Sequence, residues 1–191
     1  MITRKELPLT RSTVVGLFAL GAVFTLAAAS AYADATGDVR AAMQRFLSLS
    51  SYEMSSTSGS QSVTVDLVKP SSRHVRSARG EIISIGSDFY LKRGNSSWMK
   101  LPASASASAV GTFENMESLG RKVNGATATD LGMKSVAGET LHAYRVTETG
   151  GRQWTVYIGR DGFVHRVANV SGPNGARFSK FNAVPPIRAP M

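Results

Sequence analysis

Cysteine is absent from this chain of 191 residues. The sequence therefore excludes a thiol nucleophile, a thiolate metal site, a disulfide and a thiol redox couple. Histidine is also scarce, and His74, His142 and His165 include no His-x-His pair and no pair four residues apart. Bringing them together at one metal would need a chance convergence of three separate segments. No metal site and no cofactor is predicted.

Catalytic motifs are lacking as well. The chain has no Gly-x-Ser-x-Gly elbow, no glycine-rich phosphate loop and no closely spaced acidic pair of the kind that glycosidases use. Glu114 and Glu117 lie three residues apart on a predicted helix, where a solvated helix face explains them. A protein without enzymatic activity is predicted, and a hydrolase with a dispersed site is the weakest alternative.

A long apolar segment occurs once, near the N-terminus. Arg4, Lys5 and Arg11 precede a run from Val14 to Ala29, and Ala31-Tyr32-Ala33 fits the small-x-small cleavage pattern. Residues 1–33 are predicted to be a secretory signal peptide, with cleavage after Ala33 and a periplasmic product. The alternative is an uncleaved membrane anchor, although the run is shorter than the roughly 20 residues that span a bilayer. No cysteine is available for a lipid anchor.

The remaining chain, residues 34–191, has a length that suits one domain. Removing three basic and one acidic residue from 22 and 13 leaves 19 and 12, a net charge of +7. Such a surface favours anionic partners such as phospholipid headgroups or lipopolysaccharide. Nucleic acid is not predicted, because the basic residues are scattered and the protein is expected to be exported.

The hydrophobic pattern predicts an α+β fold. Val39, Met43, Phe46 and Leu47 recur on one face of a helix that ends near Ser50. Alternating segments and short turns then predict an antiparallel meander up to Leu101, followed by a small-residue loop over residues 103–111 and a short helix over 113–123. Strands over 127–136, 139–148, 153–158, 163–170 and 176–182 complete the pattern. Helices covering one face of an antiparallel sheet give a half-barrel.

A concave sheet under helices encloses either a packed core or an apolar cavity for a lipid. Methionine and aromatic side chains suit a cavity, because they are flexible or large, although the same residues would also build an ordinary core. Trp98 and Trp154 are both expected to face the concave side. The candidate ligand-binding residues are Phe89, Leu91, Trp98, Met99, Phe113, Met116, Leu119, Met133, Trp154 and Val156.

Several segments resemble the periplasmic lipoprotein-carrier superfamily, the LolA-like and LppX-like proteins. These are the strand entry Lys69-Pro70 through Arg76, the passage from Ile83 to Trp98, the hairpin from Leu131 to Val146, the hairpin from Trp154 to Val167, and the ending from Phe178 to Pro190. The resemblance covers nearly all of residues 34–191. It departs from the family in the Ser-Ala tract of residues 103–111, where the carriers have a Pro- and Leu-rich lid segment.

The resemblance implies a half-barrel of about eleven antiparallel strands with a helical lid on the concave face and acyl chains between them. The leading hypothesis is a periplasmic carrier or chaperone for lipid or lipoprotein acyl chains, acting as a monomer. A membrane complex or an outer-membrane acceptor is its expected partner in transport. The alternative is an envelope interaction module with a solid interior, whose basic surface binds anionic polymers or glycolipids.

Overall fold

The computed structural model describes residues 23–58, 60–102, 123–170 and 175–190, with side chains described from residue 35 onwards except that of residue 58. Helix α1 spans Val23–Ser48 and precedes all the strands. Within the described ranges, no helix combines the length and the hydropathy needed to cross a bilayer.

Eleven strands form one antiparallel sheet. They are β1 (Ser51–Ser58), β2 (Gln61–Val68), β3 (Ser72–Ser77), β4 (Gly80–Ile85), β5 (Asp88–Lys92), β6 (Met99–Leu101), β7 (Thr127–Val136), β8 (Glu139–Thr147), β9 (Gln153–Ile158), β10 (Val164–Asn169) and β11 (Gly175–Ser179). At most six residues separate sequential strands within β1–β6 and within β7–β11, a spacing typical of hairpins. The predicted α+β class with an open antiparallel half-barrel is confirmed.

The sheet consists of two meanders joined at their centre. Its order is β6-β5-β4-β3-β2-β1-β11-β10-β9-β8-β7, so β1 and β11 are neighbours and β6 and β7 are the two edges. Glu53 lies opposite Ser179 and Met54 opposite Phe178 in the pair that joins the meanders. The first and last described strands therefore hold the two halves together.

Strand β1 was not among the strands expected from the sequence. Its second half is Ser-Ser-Thr-Ser, which lacks the β-branched and aromatic residues that are enriched in strands. The first half does alternate, because Tyr52 and Met54 face α1 while Glu53 faces away. The turn at residues 58–60 was recognised, but the strand before it was not.

Helix α1 packs on one face of the sheet, which we call the helix face; the opposite side is the outer face. The buried side chains of α1 recur at helical spacing, and they pack on the C-terminal meander, where α1 contacts β7, β9 and β10. These helix residues are Ala35, Val39, Ala42, Met43 and Phe46. The sheet side of the same core consists of Tyr52, Ala128, Tyr144, Val146, Trp154, Val156, Ile158, Val164 and Phe178.

Two hydrogen bonds attach the middle of α1 to the sheet. The Tyr144 hydroxyl donates to Asp38 Oδ2 at 3.0 Å, and the backbone N–H of Ala128 donates to Thr36 Oγ1 at 3.0 Å. Burial, together with the bond to Asp38, raises the pKa of the Tyr144 phenol. These contacts and the apolar core fix α1 over the C-terminal half of the sheet.

Candidate functional site

The helix face of the N-terminal meander carries an apolar surface. Because strand side chains alternate, the register places one set of residues from β2 to β6 on the side of Tyr52 and Met54. This set, which we call the apolar sheet surface, comprises Val63, Val65, Leu67, Val75, Ile82, Phe89, Leu91, Met99 and Leu101. Most of them are half-buried, and Met99 is 57% exposed.

Helix α1 does not extend over this surface. Most of its contacts lie with the C-terminal meander. Its last turn lies at the centre of the sheet, where Phe46 packs on Tyr52 and Phe178. Leu67 is the member of the apolar sheet surface that packs against the α1 core. One half of the sheet is thus covered by the described helix, and the apolar surface of the other half is not.

Three of the predicted binding residues come together on this surface. Leu91 lies opposite Met99 across β5 and β6, and Phe89 lies opposite Leu101 in the same pair. Ile82 continues the surface on β4, since it faces Leu91. Phe89, Leu91 and Met99 therefore form one continuous apolar patch, as a chain-binding surface requires.

Two other predicted residues belong to the packed core beneath α1. Trp154 and Val156 face the helix from β9 and are almost fully buried. The indole N–H of Trp154 is buried and has no hydrogen-bond partner among the described residues. Met133 lies on the edge strand β7 and is 51% exposed. These three residues are remote in strand order from Phe89 and Leu91.

Trp98 lies on the outer face, and the expectation that both tryptophans face the concave side is wrong for this residue. Its ring lies 6.3 Å from the ring of His74, and the ammonium group of Lys92 lies 5.9 Å from its centroid. His74 and Lys92 are outer-face residues of β3 and β5 by register. Trp98 precedes Met99, so alternation directs the two side chains to opposite sides.

Phe113, Met116 and Leu119, with the predicted helical lid and the small-residue loop before it, lie outside the described residues. The structure therefore leaves these predictions as they were made from the sequence.

A cleft opens between the end of α1 and the β2–β3 hairpin. Its volume is about 50 Å³, well below the roughly 300–1,000 Å³ of sites that enclose a whole ligand. It is lined by Phe46, Leu47, Tyr52, Leu67, Val68, Lys69, Pro70, Ser71, Ser72 and Arg73. The Lys69 ammonium group donates a hydrogen bond to the carbonyl of Leu47 at the helix end. The cleft adjoins the apolar sheet surface at Leu67.

The outer face of the same strands carries a network of charged groups. Arg76 Nη1 donates to Asp66 Oδ2 at 2.6 Å, and Nη2 of the same side chain lies 3.4 Å from Glu53. His74 Nε2 lies 2.8 Å from Glu81, and Lys180 lies 2.8 Å from Glu53. Acidic side chains are therefore concentrated on the face that does not carry the apolar surface.

The pKa of Asp66 reflects this network. Burial acts to raise it, but the hydrogen bond from Arg76 and the charges of Arg76 and Lys180 outweigh burial and hold it below the usual value. The second carboxylate oxygen of Asp66 is buried and has no partner among the described residues. Arg76 therefore stabilises the ionised form of Asp66.

Each histidine contacts carboxylates rather than another histidine. His142 pairs with Asp130 at 2.7 Å, and His165 lies between Glu139 and Asp161. Across the described ranges, no three His, Cys, Asp or Glu side chains are grouped so that they could hold a metal ion.

The similarity of this chain to known proteins lies in its structure rather than in its sequence. No protein-family model matches the sequence, and no curated protein matches it. The crystal structure of the lipoprotein LppX from Mycobacterium tuberculosis matches with a TM-score of 0.53 and 17% identity over 82% of this chain and 98% of LppX. The chain has the LolA/LppX-like fold.

Two further structures match with lower TM-scores. The MucA/MucB complex from Pseudomonas aeruginosa has a TM-score of 0.44 and 12% identity over 78% of this chain and 56% of that chain. A LolA superfamily protein from Nitrosomonas europaea has a TM-score of 0.25 and 8% identity over 76% of this chain and 90% of its own. The match to LppX confirms, at the level of the fold, the resemblance that the sequence motifs indicated.

Proposed function

We propose that this protein is a non-catalytic periplasmic carrier or binding protein that holds an acyl chain of a lipid or lipoprotein on the apolar sheet surface. The observation that carries the proposal is the continuous apolar patch on β2 to β6, which lies beyond the reach of α1. An acyl chain matches the chemistry of such an apolar surface.

The energetics favour a chain over a polar ligand. Burial of each methylene group contributes about 0.8 kcal/mol, so several methylene groups outweigh one polar contact. Phe89, Leu91 and Ile82 supply this contact area without any charged group between them. The LolA/LppX-like fold shared with LppX, which is itself a lipoprotein, supports a setting in the cell envelope. A membrane complex or an outer-membrane acceptor is the proposed partner in transfer.

The test is uptake of a fluorescent fatty acid by delipidated protein, with two matched variants on β4. Ile82 and Ile85 are both half-buried isoleucines of one strand, but Ile82 faces the helix side and Ile85 the outer side. Wild type should bind with micromolar affinity, Ile82→Asp should weaken binding at least about tenfold, and Ile85→Asp should bind like wild type. Circular dichroism and thermal unfolding verify that each variant is folded.

Equal binding by the two variants, or no binding by folded wild type, would contradict the proposal. Salt-sensitive binding to an anionic glycolipid without any acyl uptake would instead favour the interaction-module alternative, because screening weakens contacts between exposed charges. Acyl binding through apolar contact should persist at high salt.

A further inference from the structure

Arg73 is the one charged residue that the register places on the helix face within strands β1 to β6. It lies on β3 opposite Leu67 of β2 and Ser84 of β4. The apolar sheet surface begins immediately beside it, with Val75 two residues further along the same face. A guanidinium group therefore stands at the border of an otherwise uncharged surface.

The acidic residues of these strands all lie on the other face. Glu53, Asp66, Glu81 and Asp88 alternate with apolar helix-face residues in β1, β2, β4 and β5. Arg76, which lies on the outer face, is consequently paired with Asp66. The sheet itself thus separates Arg73 from every one of these carboxylates.

Arg73 makes no hydrogen bond or ion pair within the part of the chain that the structure describes, although it is half-buried. Taking a guanidinium partly out of water is unfavourable unless an anion or an acceptor replaces the lost hydration. The planar guanidinium group binds carboxylate and phosphate through two parallel hydrogen bonds. An anion at this point would compensate its burial.

The adjoining cleft has room for such a group. Arg73 and Lys69 line it together with apolar side chains, and its volume of about 50 Å³ exceeds the roughly 30 Å³ that one water molecule occupies. The C-terminal end of α1 would repel an anion through its partial negative charge, but Lys69 binds the Leu47 carbonyl and offsets that charge. Leu67 links this cleft directly to the apolar sheet surface.

We propose that Arg73 pairs with the anionic group of the bound amphiphile, so that the cargo is an acyl chain that ends in a carboxylate or a phosphate rather than a neutral lipid. This inference rests on the proposed function, because it requires the chain to lie on the apolar sheet surface. The charged end occupies the cleft beside α1, and the chain extends over β3, β4 and β5 toward Leu91.

The test compares three ligands with the same chain of sixteen carbons: palmitate, hexadecyl phosphate and the uncharged hexadecanol. Binding is measured at about pH 8 by displacement of a fluorescent fatty acid from wild type, Arg73→Gln, Arg73→Lys and the control Arg79→Gln. Arg79 is an exposed residue of the β3–β4 turn, so its loss removes a positive charge without touching the cleft.

Wild type and Arg79→Gln should bind the anionic ligands about tenfold or more tighter than hexadecanol, as a charge-assisted hydrogen bond provides. Arg73→Gln should lose this preference while its affinity for hexadecanol is unchanged, and Arg73→Lys should keep most of it. Tighter binding of palmitate or of hexadecyl phosphate then identifies a carboxylate or a phosphate as the better match.

Equal affinity of wild type for all three ligands would overturn the inference and leave acyl binding intact. If folded Arg73→Gln lost affinity for palmitate and for hexadecanol equally, the inference would also be overturned, since Arg73 would then only shape the site. Failure of wild type to bind any of the three would overturn the proposed function and this inference together.

Discussion

Phe46 of α1 packs edge-on against Phe178 of β11, with ring centroids 4.9 Å apart and an angle of 72° between the rings. Both side chains are almost completely buried. Tyr52 of β1 joins them, with its ring 4.7 Å from that of Phe46. Because β1 and β11 are the strands that join the two meanders, this aromatic cluster fixes the end of the helix at the centre of the sheet.

Phe178→Ala should therefore lower the free energy of unfolding by about 3–5 kcal/mol, because it leaves a cavity at the junction. Phe181→Ala is the matched control. The ring centroid of Phe181 lies 6.3 Å from that of Phe46, but Phe181 is only half-buried, so this substitution should lower the free energy of unfolding clearly less. Urea unfolding followed by circular dichroism measures both. A loss below about 1 kcal/mol for Phe178→Ala would show that the junction does not depend on this contact.

The ion pair of Asp66 with Arg76 predicts a specific response to acid. The pKa of Asp66 is held below its usual value, so the pair stabilises the fold fully above about pH 4, and this contribution disappears as pH falls through the lower folded-state pKa. Asp66→Asn should lower the free energy of unfolding by about 1–3 kcal/mol at neutral pH. This difference from wild type should become smaller below about pH 4.

Urea unfolding of wild type and Asp66→Asn between about pH 7 and pH 2 measures this difference. Asp88→Asn is a control on the same face, because Asp88 pairs with Lys100 at 2.9 Å where both side chains are about half exposed. Such exposed pairs contribute little to stability, because water and salt screen them. A deficit of Asp66→Asn that is the same at every pH would rule out the linkage argument.

Export should remove residues 1–33 and leave Asp34 as the N-terminus. The side chains that α1 buries in the described core begin at Ala35, so cleavage after Ala33 would spare all of them. Mass spectrometry of periplasmic protein from an export-competent host determines the terminus. A mass that corresponds to a chain starting at Met1 would instead support the uncleaved anchor.

The sequence was most informative where the signals are local. Turns such as Arg160-Asp161-Gly162 and the alternation of Trp154, Val156 and Ile158 predicted the second meander closely. The pairing of β1 with β11 joins segments more than one hundred residues apart, and hairpin rules carry no information about it. The fold class was accessible from the pattern, whereas the strand order across the centre was not predicted.

The site residues show the same division. Phe89 and Leu91 were assigned to one face because apolar side chains alternate along their strand, whereas Met99 was chosen because methionine is flexible. Placing Trp98 beside Met99 on the same face contradicted that alternation, and stricter use of it would have assigned Trp98 to the outer face. Trp154 and Val156 are as apolar as the patch residues, and only the position of α1 shows that they belong to the packed core. Arg73 was noted as part of a motif. Its separation from the carboxylates of β1, β2, β4 and β5 follows from the register of these strands with β3, which the sequence motifs do not show.

Photo-crosslinking tests the central claim most directly, because it reports where a bound chain lies. Delipidated protein is irradiated with a fatty acid that carries a diazirine on its chain, and the modified residues are mapped by mass spectrometry. Binding on the apolar sheet surface predicts labels on helix-face residues of β3 to β5, such as Val75, Ile82 and Leu91, which excess palmitate suppresses. Labels on outer-face residues such as His74 and Ile85, or labelling that palmitate does not reduce, would contradict it.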